Sequence, residues 1–372
     1  MSADYPLPNG ELASLGFAPK PLEHLDRLIR SHIDDGRYAG AQIALARHGK
    51  LALFRTYGDA KTEGSKIPAT NESLFLLFSQ TKVLTSAAVW TLVEEGKLSF
   101  MDRVADHLPE FAARGKGEIT IQQVMTHQGG FPNGDVTKAT WTDHARMRAE
   151  VCDFSLEWTP GTRLQYHGRA AHLVQAMVIE ACTGQDFRDV IRERVIEPLG
   201  LGRDIYVGVP AAEQNRCADT YGPEPGLRDN SPEFKAAGLP SGGGYATARG
   251  MAAFYQMLGN GGRLGNARVF SPRLLAYVSR NQTGESPDHA MTGIPMHRGL
   301  GPHVRGASDR IRGLGTIGAP STFGHGGVGS SYSWVDPTSG VSFPYLTNYV
   351  APDPWHSMRL DRVSNLVHAA ID

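Results

Sequence analysis

Leu74-Phe-Leu-Leu-Phe-Ser79-Gln-Thr-Lys82-Val-Leu84 is an apolar run that turns, at a serine, into a helical pattern. From Gln80 to Glu95 the positions Val83, Leu84, Ala87, Ala88, Trp90, Thr91 and Val93 continue it, and Gly96 stands where a C-cap glycine belongs. Residues i and i+3 share a helix face, so the Lys82 amine falls beside the Ser79 hydroxyl. A serine hydroxyl is a poor nucleophile without an adjacent base. A lysine can be that base when burial or a nearby cation lowers its proton affinity. The helix N-terminus adds backbone N–H groups and a positive dipole end for a developing oxyanion. On these four residues alone, Ser79 also reads as an N-cap and Lys82 as a surface lysine of the first turn. The apolar residues on both sides favour a buried lysine.

Working outward, residues 21–36 read as an amphipathic helix ended by Gly36. Ala41 to Arg47 and Leu51 to Tyr57 read as strands joined by a His48-Gly49 turn. Residues from about 102 to 315 are loop-rich and helical, with helices expected near 119–126, 142–151, 168–183, 186–196 and 247–259. Ser331 to Val335 and Val341 to Thr347 return to strand pattern, and a last helix is expected over 356–371. The expected fold is therefore α/β plus all-α. Residues 1–78 and 316–372 form an antiparallel sheet flanked by helices, and 79–315 form a mainly helical inserted domain.

Composition narrows the function classes. A 41% hydrophobic and 20% charged chain of 372 residues builds a core without metals or disulfides, and three cysteines make no disulfide framework. The net charge of −1, with scattered Lys and Arg, gives no nucleic-acid surface. No stretch is long enough to span a bilayer, and Met1 to Pro6 is not a basic segment before an apolar run. For a chain beginning at its natural start this predicts a cytoplasmic protein. No metal or cofactor is expected: the histidines show no H-E-x-x-H or comparable spacing. No G-x-S-x-G elbow occurs either.

Two further segments carry chemistry. Tyr166 lies in Thr159-Pro-Gly-Thr-Arg-Leu-Gln-Tyr-His-Gly168. A phenol near a lysine ammonium ionises more easily and can relay a proton, although the residue also reads as an ordinary half-buried loop tyrosine. Phe323-Gly-His-Gly-Gly-Val-Gly329 precedes a strand. Its glycines either let a substrate approach backbone N–H groups or form a plain turn.

Taken in order, these segments resemble the serine β-lactamase and penicillin-binding-protein superfamily, in particular the class C β-lactamase-like branch with the family VIII carboxylesterases. Asp102 to Phe111, Ile119 to Pro132, Trp158 to Tyr166, Ile196 to Leu201 and Ser241 to Gly250 are similar to that branch in character and order, so the likeness spans roughly residues 20–370. The resemblance implies an active site in the cleft between the two domains. It implies Ser79 as acylated nucleophile, with Lys82 and Tyr166 sharing general-base and general-acid work. It makes the N–H groups of Ser79 and Val328 the candidate oxyanion hole.

The chain departs from the branch at two motifs. Tyr166-His167-Gly168 stands where β-lactamases carry Tyr-x-Asn, and His325-Gly326-Gly327 where they carry Lys-Thr-Gly. The missing Lys removes a fixed charge suited to a β-lactam carboxylate. His167, His325, Gly326 and Gly327 are candidate substrate-binding residues, the histidines being otherwise polar walls. Trp334, like Tyr332, is a candidate to reach the cleft from an alternating strand. The expected activity is hydrolysis of a small-molecule ester. The alternatives are acyl transfer, amide hydrolysis or weak β-lactam hydrolysis through the same acyl-enzyme, or a non-catalytic binding protein. Monomer and homo-oligomer both remain open.

Overall fold

The computed structural model describes residues 5–308 and 313–372. The sheet begins with strands β1 (Gly40–Arg47), β2 (Lys50–Lys61) and β3 (Ile67–Pro68). It is completed by β4 (His303–Val304), β5 (Phe323–Gly326), β6 (Tyr332–Asp336) and β7 (Val341–Thr347). These seven strands lie antiparallel in the order β4-β5-β6-β7-β1-β2-β3. The two ends of the chain therefore meet along β1 and β7, with Ile43 opposite Tyr345. The β1–β2 turn has the expected chemistry: His48 (φ 51°) and Gly49 (φ 74°) are both left-handed, as a two-residue hairpin of the favoured twist requires.

Alternation along β1 sorts its side chains onto two faces. Ile43 and Leu45 join the core under helices α1 (Pro19–Asp34) and α5 (Trp355–His368), with Leu25, Ile29, Val363 and Val367. Ala44 and Ala46 join the other core, which continues into the helical region. There, helix α2 (Thr81–Glu94) packs on α3 (Ala170–Thr183). Every residue of α2 from Thr81 to Leu92 is buried, so this helix has no solvent face. Among the described residues, no helix is long and apolar enough to cross a membrane.

One boundary differs from the expectation of a single insertion over 79–315. Helix α4 (Ala248–Gly259) and strand β4 lie inside that range but belong to the sheet. Helix α4 packs on β1, β6 and β7. Ser342 Oγ donates to the Ala252 carbonyl at 2.9 Å, and the Gln42 side chain accepts the Ala248 N–H at 2.9 Å. A helical period reveals an apolar stripe, not the layer that covers it, so the sequence pattern left this assignment open.

The nucleophile segment is tied down at the junction. Strand Gly244–Ala246 lies between Phe75–Leu76 and Ile205–Val207. Thr81 Oγ1 accepts the Gly244 N–H at 2.9 Å and donates to the Phe78 carbonyl at 2.7 Å. Both partners are buried, so Thr81→Val leaves a donor and an acceptor unpaired at constant volume. We expect a loss of about 2–4 kcal/mol in urea unfolding. An unchanged midpoint would show that this hydroxyl does not hold the junction.

Candidate active site

The approach to Ser79 is strained. Phe78 has φ 47°, a left-handed value that a bulky residue adopts at a cost of about 1–3 kcal/mol when its surroundings impose it. A 3-10 turn over Phe78–Gln80 follows and runs directly into α2. Ser79 is half-buried, whereas residues 73–78 before it are buried. Lys82, one turn on, is 0% exposed, and its Nζ lies 3.1 Å from Ser79 Oγ and 2.7 Å from the Ser241 carbonyl oxygen. Burial first, then the positive charges of Arg298 and Arg169, push the Lys82 ammonium well below the ordinary lysine range. The neutral amine donates one N–H to Ser241 and can turn its lone pair to the serine O–H.

Tyr166 closes the triangle. Tyr166 shares both cavity walls with Ser79, and Lys82 Nζ lies 5.3 Å from its ring centre. The expectation that a lysine ammonium eases ionisation of this phenol is not met. Burial pushes Tyr166 above the ordinary tyrosine value, outweighing the opposing influence of Ser79 and Arg298. With Lys82 biased to the neutral amine, the resting pair is amine plus phenol. Such a phenol can pass a proton on but does not stand as a phenolate.

The third segment faces them from β5. Gly327 donates to the Ser331 carbonyl at 2.7 Å, which closes a turn and leaves the Val328 N–H without an acceptor among the described residues. A side chain at Gly327 would come within 2.8 Å of the Leu77 carbonyl oxygen, so only glycine lets this loop approach the nucleophile turn so closely. The loop is pinned from behind by Arg359, which is 1% exposed. Its Nη2 donates to the carbonyls of Gly329 (2.9 Å) and Ser330. The guanidinium is caged by Trp355, Tyr38 and Tyr345, with ring centres 4.9, 5.2 and 5.6 Å away.

Two cavities meet at Ser79, Tyr166 and Val328. The smaller, about 290 Å³, has Phe78, Leu227, Phe234 and Leu239 in its wall. The larger, about 550 Å³, is walled by Met291, Ile294, Met296, His303, His325 and Leu360, among others. Gly326, Gly327 and His325 border the larger cavity. His325 is 1% exposed, stacks on His303 with ring centres 4.0 Å apart, and is held neutral by burial, which lowers it to about 3.

His167 and Trp334 do not reach either cavity. His167 is fully buried; its Nδ1 donates to the Gln165 carbonyl at 2.6 Å and its Nε2 accepts the Phe131 N–H at 3.2 Å. Burial lowers it to about 4, so it is a neutral strut with both ring nitrogens engaged. Trp334 is buried against α5, where it donates to Ser364 Oγ at 3.0 Å and stacks on His368. Tyr332, on the same face of β6, does border the larger cavity, so it is position along the strand that keeps Trp334 in the core under α5.

The sequence reading missed several contributors. The Ser241 carbonyl that holds Lys82 sits in a stretch noted for its likeness to the family but given no role. His127, with φ 62°, packs against Tyr166 at 4.7 Å, and its Nδ1 accepts the His167 N–H at 3.1 Å. Arg298, Asp288, His303 and Arg359 carry no motif at all. Among the described residues, His144, Glu180 and Asp186 form a group of metal-ligand type, but Arg188 already pairs with Asp186 and none of the three borders either cavity.

Comparison with known proteins agrees with this geometry. The chain is 27% identical over 359 residues to the esterase/beta-lactamase LipL of Mycobacterium tuberculosis, covering 87% of this chain and 80% of the relative. It is 26% identical over 391 residues to a putative D-alanyl-D-alanine carboxypeptidase of Escherichia coli, covering 93% and 87%. The crystal structure of a family VIII carboxylesterase superposes with a TM-score of 0.83 at 26% identity, covering 95% of this chain and 98% of that one. The beta-lactamase family model matches residues 25–365, a span that holds all three site segments, and the chain belongs to that family of serine hydrolases.

Proposed function

We propose that this protein is a carboxylesterase that cleaves small-molecule esters through an acyl-enzyme on Ser79. The observation that carries the reading is the buried Lys82 amine, 3.1 Å from Ser79 Oγ and biased to its free-base form. Ser79 Oγ attacks the ester carbonyl carbon as its proton passes to Lys82. The N–H groups of Ser79 and Val328 take the charge that develops on the carbonyl oxygen. As the C–O bond breaks, the proton returns through Tyr166 to the departing alkoxide. Water then attacks the acyl-enzyme with the same groups in reverse roles.

Ester chemistry is favoured over β-lactam or peptide cleavage by what the site lacks. Position 325 holds a neutral imidazole, and Gly326 and Gly327 have no hydroxyl to grip a substrate carboxylate. Gly168 offers no side-chain amide. The cavity walls are largely apolar, which suits uncharged acyl and alcohol groups. Two of the relatives named above are esterases by description. The second reading is peptide or β-lactam cleavage, or acyl transfer, by the same acyl-enzyme; the relative described as a putative carboxypeptidase favours it.

A fluorophosphonate should label the wild-type protein once, at Ser79, and a short-chain aryl ester should be turned over. Ser79→Ala should abolish both while the melting temperature holds. Activity retained in that variant, or a label elsewhere, rejects the assignment. Faster turnover of D-alanyl peptides or β-lactams than of esters would select the second reading.

Tyr166→Phe keeps the ring but removes the proton relay, and Lys82→Met removes the base. Each should cost roughly 10²–10⁴-fold in kcat/KM for the ester. A protonated amine cannot accept the serine proton, so kcat/KM should fall as pH drops through the Lys82 titration. That limb should be centred well below the ordinary lysine value. A profile still rising at the ordinary lysine value would mean that Lys82 is not the base.

A further inference from the structure

The third motif of this chain lacks its lysine, yet a permanent cation stands at the site. Arg298 is 2% exposed, borders the larger cavity, and holds its guanidinium 4.8 Å from the Tyr166 ring centre. Its Nη2 donates to Asp288 Oδ2 at 2.6 Å, and Asp288 is 0% exposed. The other carboxylate oxygen, Oδ1, accepts the N–H groups of Tyr166 (3.1 Å) and Ala290 (3.0 Å). One ion pair thus grips Tyr166 twice, by its ring and by its backbone.

Stability alone is a weak reason for this arrangement. A buried ion pair seldom outperforms apolar residues of the same volume. Here Arg298 Nε also lacks an acceptor among the described residues, which adds cost. The charge has a clear addressee instead. The titratable or charged groups that act on or feel Lys82 are Tyr166, Arg169, Arg298, His127, His172 and His325. Burial keeps the three histidines neutral. Arg169 is half exposed and paired with Asp135. Arg298 is therefore the buried permanent charge in the group.

We propose that Arg298, locked by Asp288, is a positioning residue that supplies the fixed positive charge missing from the third motif and holds Tyr166 against Ser79. The inference rests on the Ser79–Lys82–Tyr166 hydrolase reading above. Like-charge repulsion from Arg298 disfavours a proton on Lys82, and its seat on the Tyr166 ring keeps the phenol within reach of the nucleophile. Because Asp288 occupies its Nη2, the guanidinium serves the catalytic groups before it serves a substrate anion.

The test compares wild type, Arg298→Lys, Arg298→Gln and the neutral pair Arg298→Gln/Asp288→Asn, using kcat/KM for an aryl ester from pH 5 to 10. Loss of the cation should move the ascending limb up by about one pH unit and lower kcat/KM at pH 7 by roughly 10- to 100-fold. Arg298→Lys should keep the limb near its wild-type position and recover part of the rate. If Arg298→Gln unfolds because it strands the Asp288 carboxylate, the neutral pair carries the test, having no unpaired buried charge. Folded variants that lose rate with the limb unmoved would show a purely structural role and overturn the inference. So would a glutamine variant indistinguishable from wild type. A wild-type protein that takes no fluorophosphonate at Ser79 would reject the hydrolase reading itself, independently of how Arg298 behaves.

Discussion

Everything at this site depends on keeping one amine out of water. Lys82 Nζ is enclosed by the protein and fixed between Ser79 Oγ and the Ser241 carbonyl. An ammonium in such a place loses its hydration, worth several kcal/mol even after relaxation, so the proton is given up instead. That favours the free amine, the form whose lone pair can accept a proton. The enclosure is structural in origin. Helix α2 is buried around its whole circumference, between the sheet domain and α3, so its first turn has nowhere to be exposed.

The remaining parts fix geometry around that amine. The strained Phe78 backbone, the Thr81 bridge to Gly244 and the close approach of Gly327 hold the nucleophile turn against the β5 loop. Arg359 anchors the carbonyls behind Val328, leaving that residue's N–H directed away from the fold's own acceptors. These are rigid backbone devices, suited to stabilising charge that appears only during reaction, because they need no reorganisation at that moment.

Histidines crowd the site in their neutral form. His127, His167, His172 and His325 are all pushed below the ordinary histidine range by burial. His127, His167 and His325 each bond a backbone group, as His167 does for Phe131 and Gln165. The cavity walls are largely apolar, and their charged side chains are Arg169 and Asp229 in the smaller cavity and Arg298 and Asp353 in the larger.

The sequence by itself determined the local pieces. The i, i+3 spacing put Ser79 and Lys82 on one helix face, alternation gave β1, β6 and β7, and the His48-Gly49 pair gave its hairpin, because each is set by backbone periods of a few residues. The ordered segments likewise located Tyr166 and the glycine loop. Tertiary structure alone decided which face each element buries. It buried Trp334 against α5, engaged both nitrogens of His167 internally, and moved α4 from the helical domain onto the strands. It also brought Asp288, Arg298 and Arg359 to the centre from positions that no motif marks. Burial and charge–charge distance are properties of the packed chain, so the proton affinities of Lys82 and Tyr166 were unreadable until the fold set their surroundings.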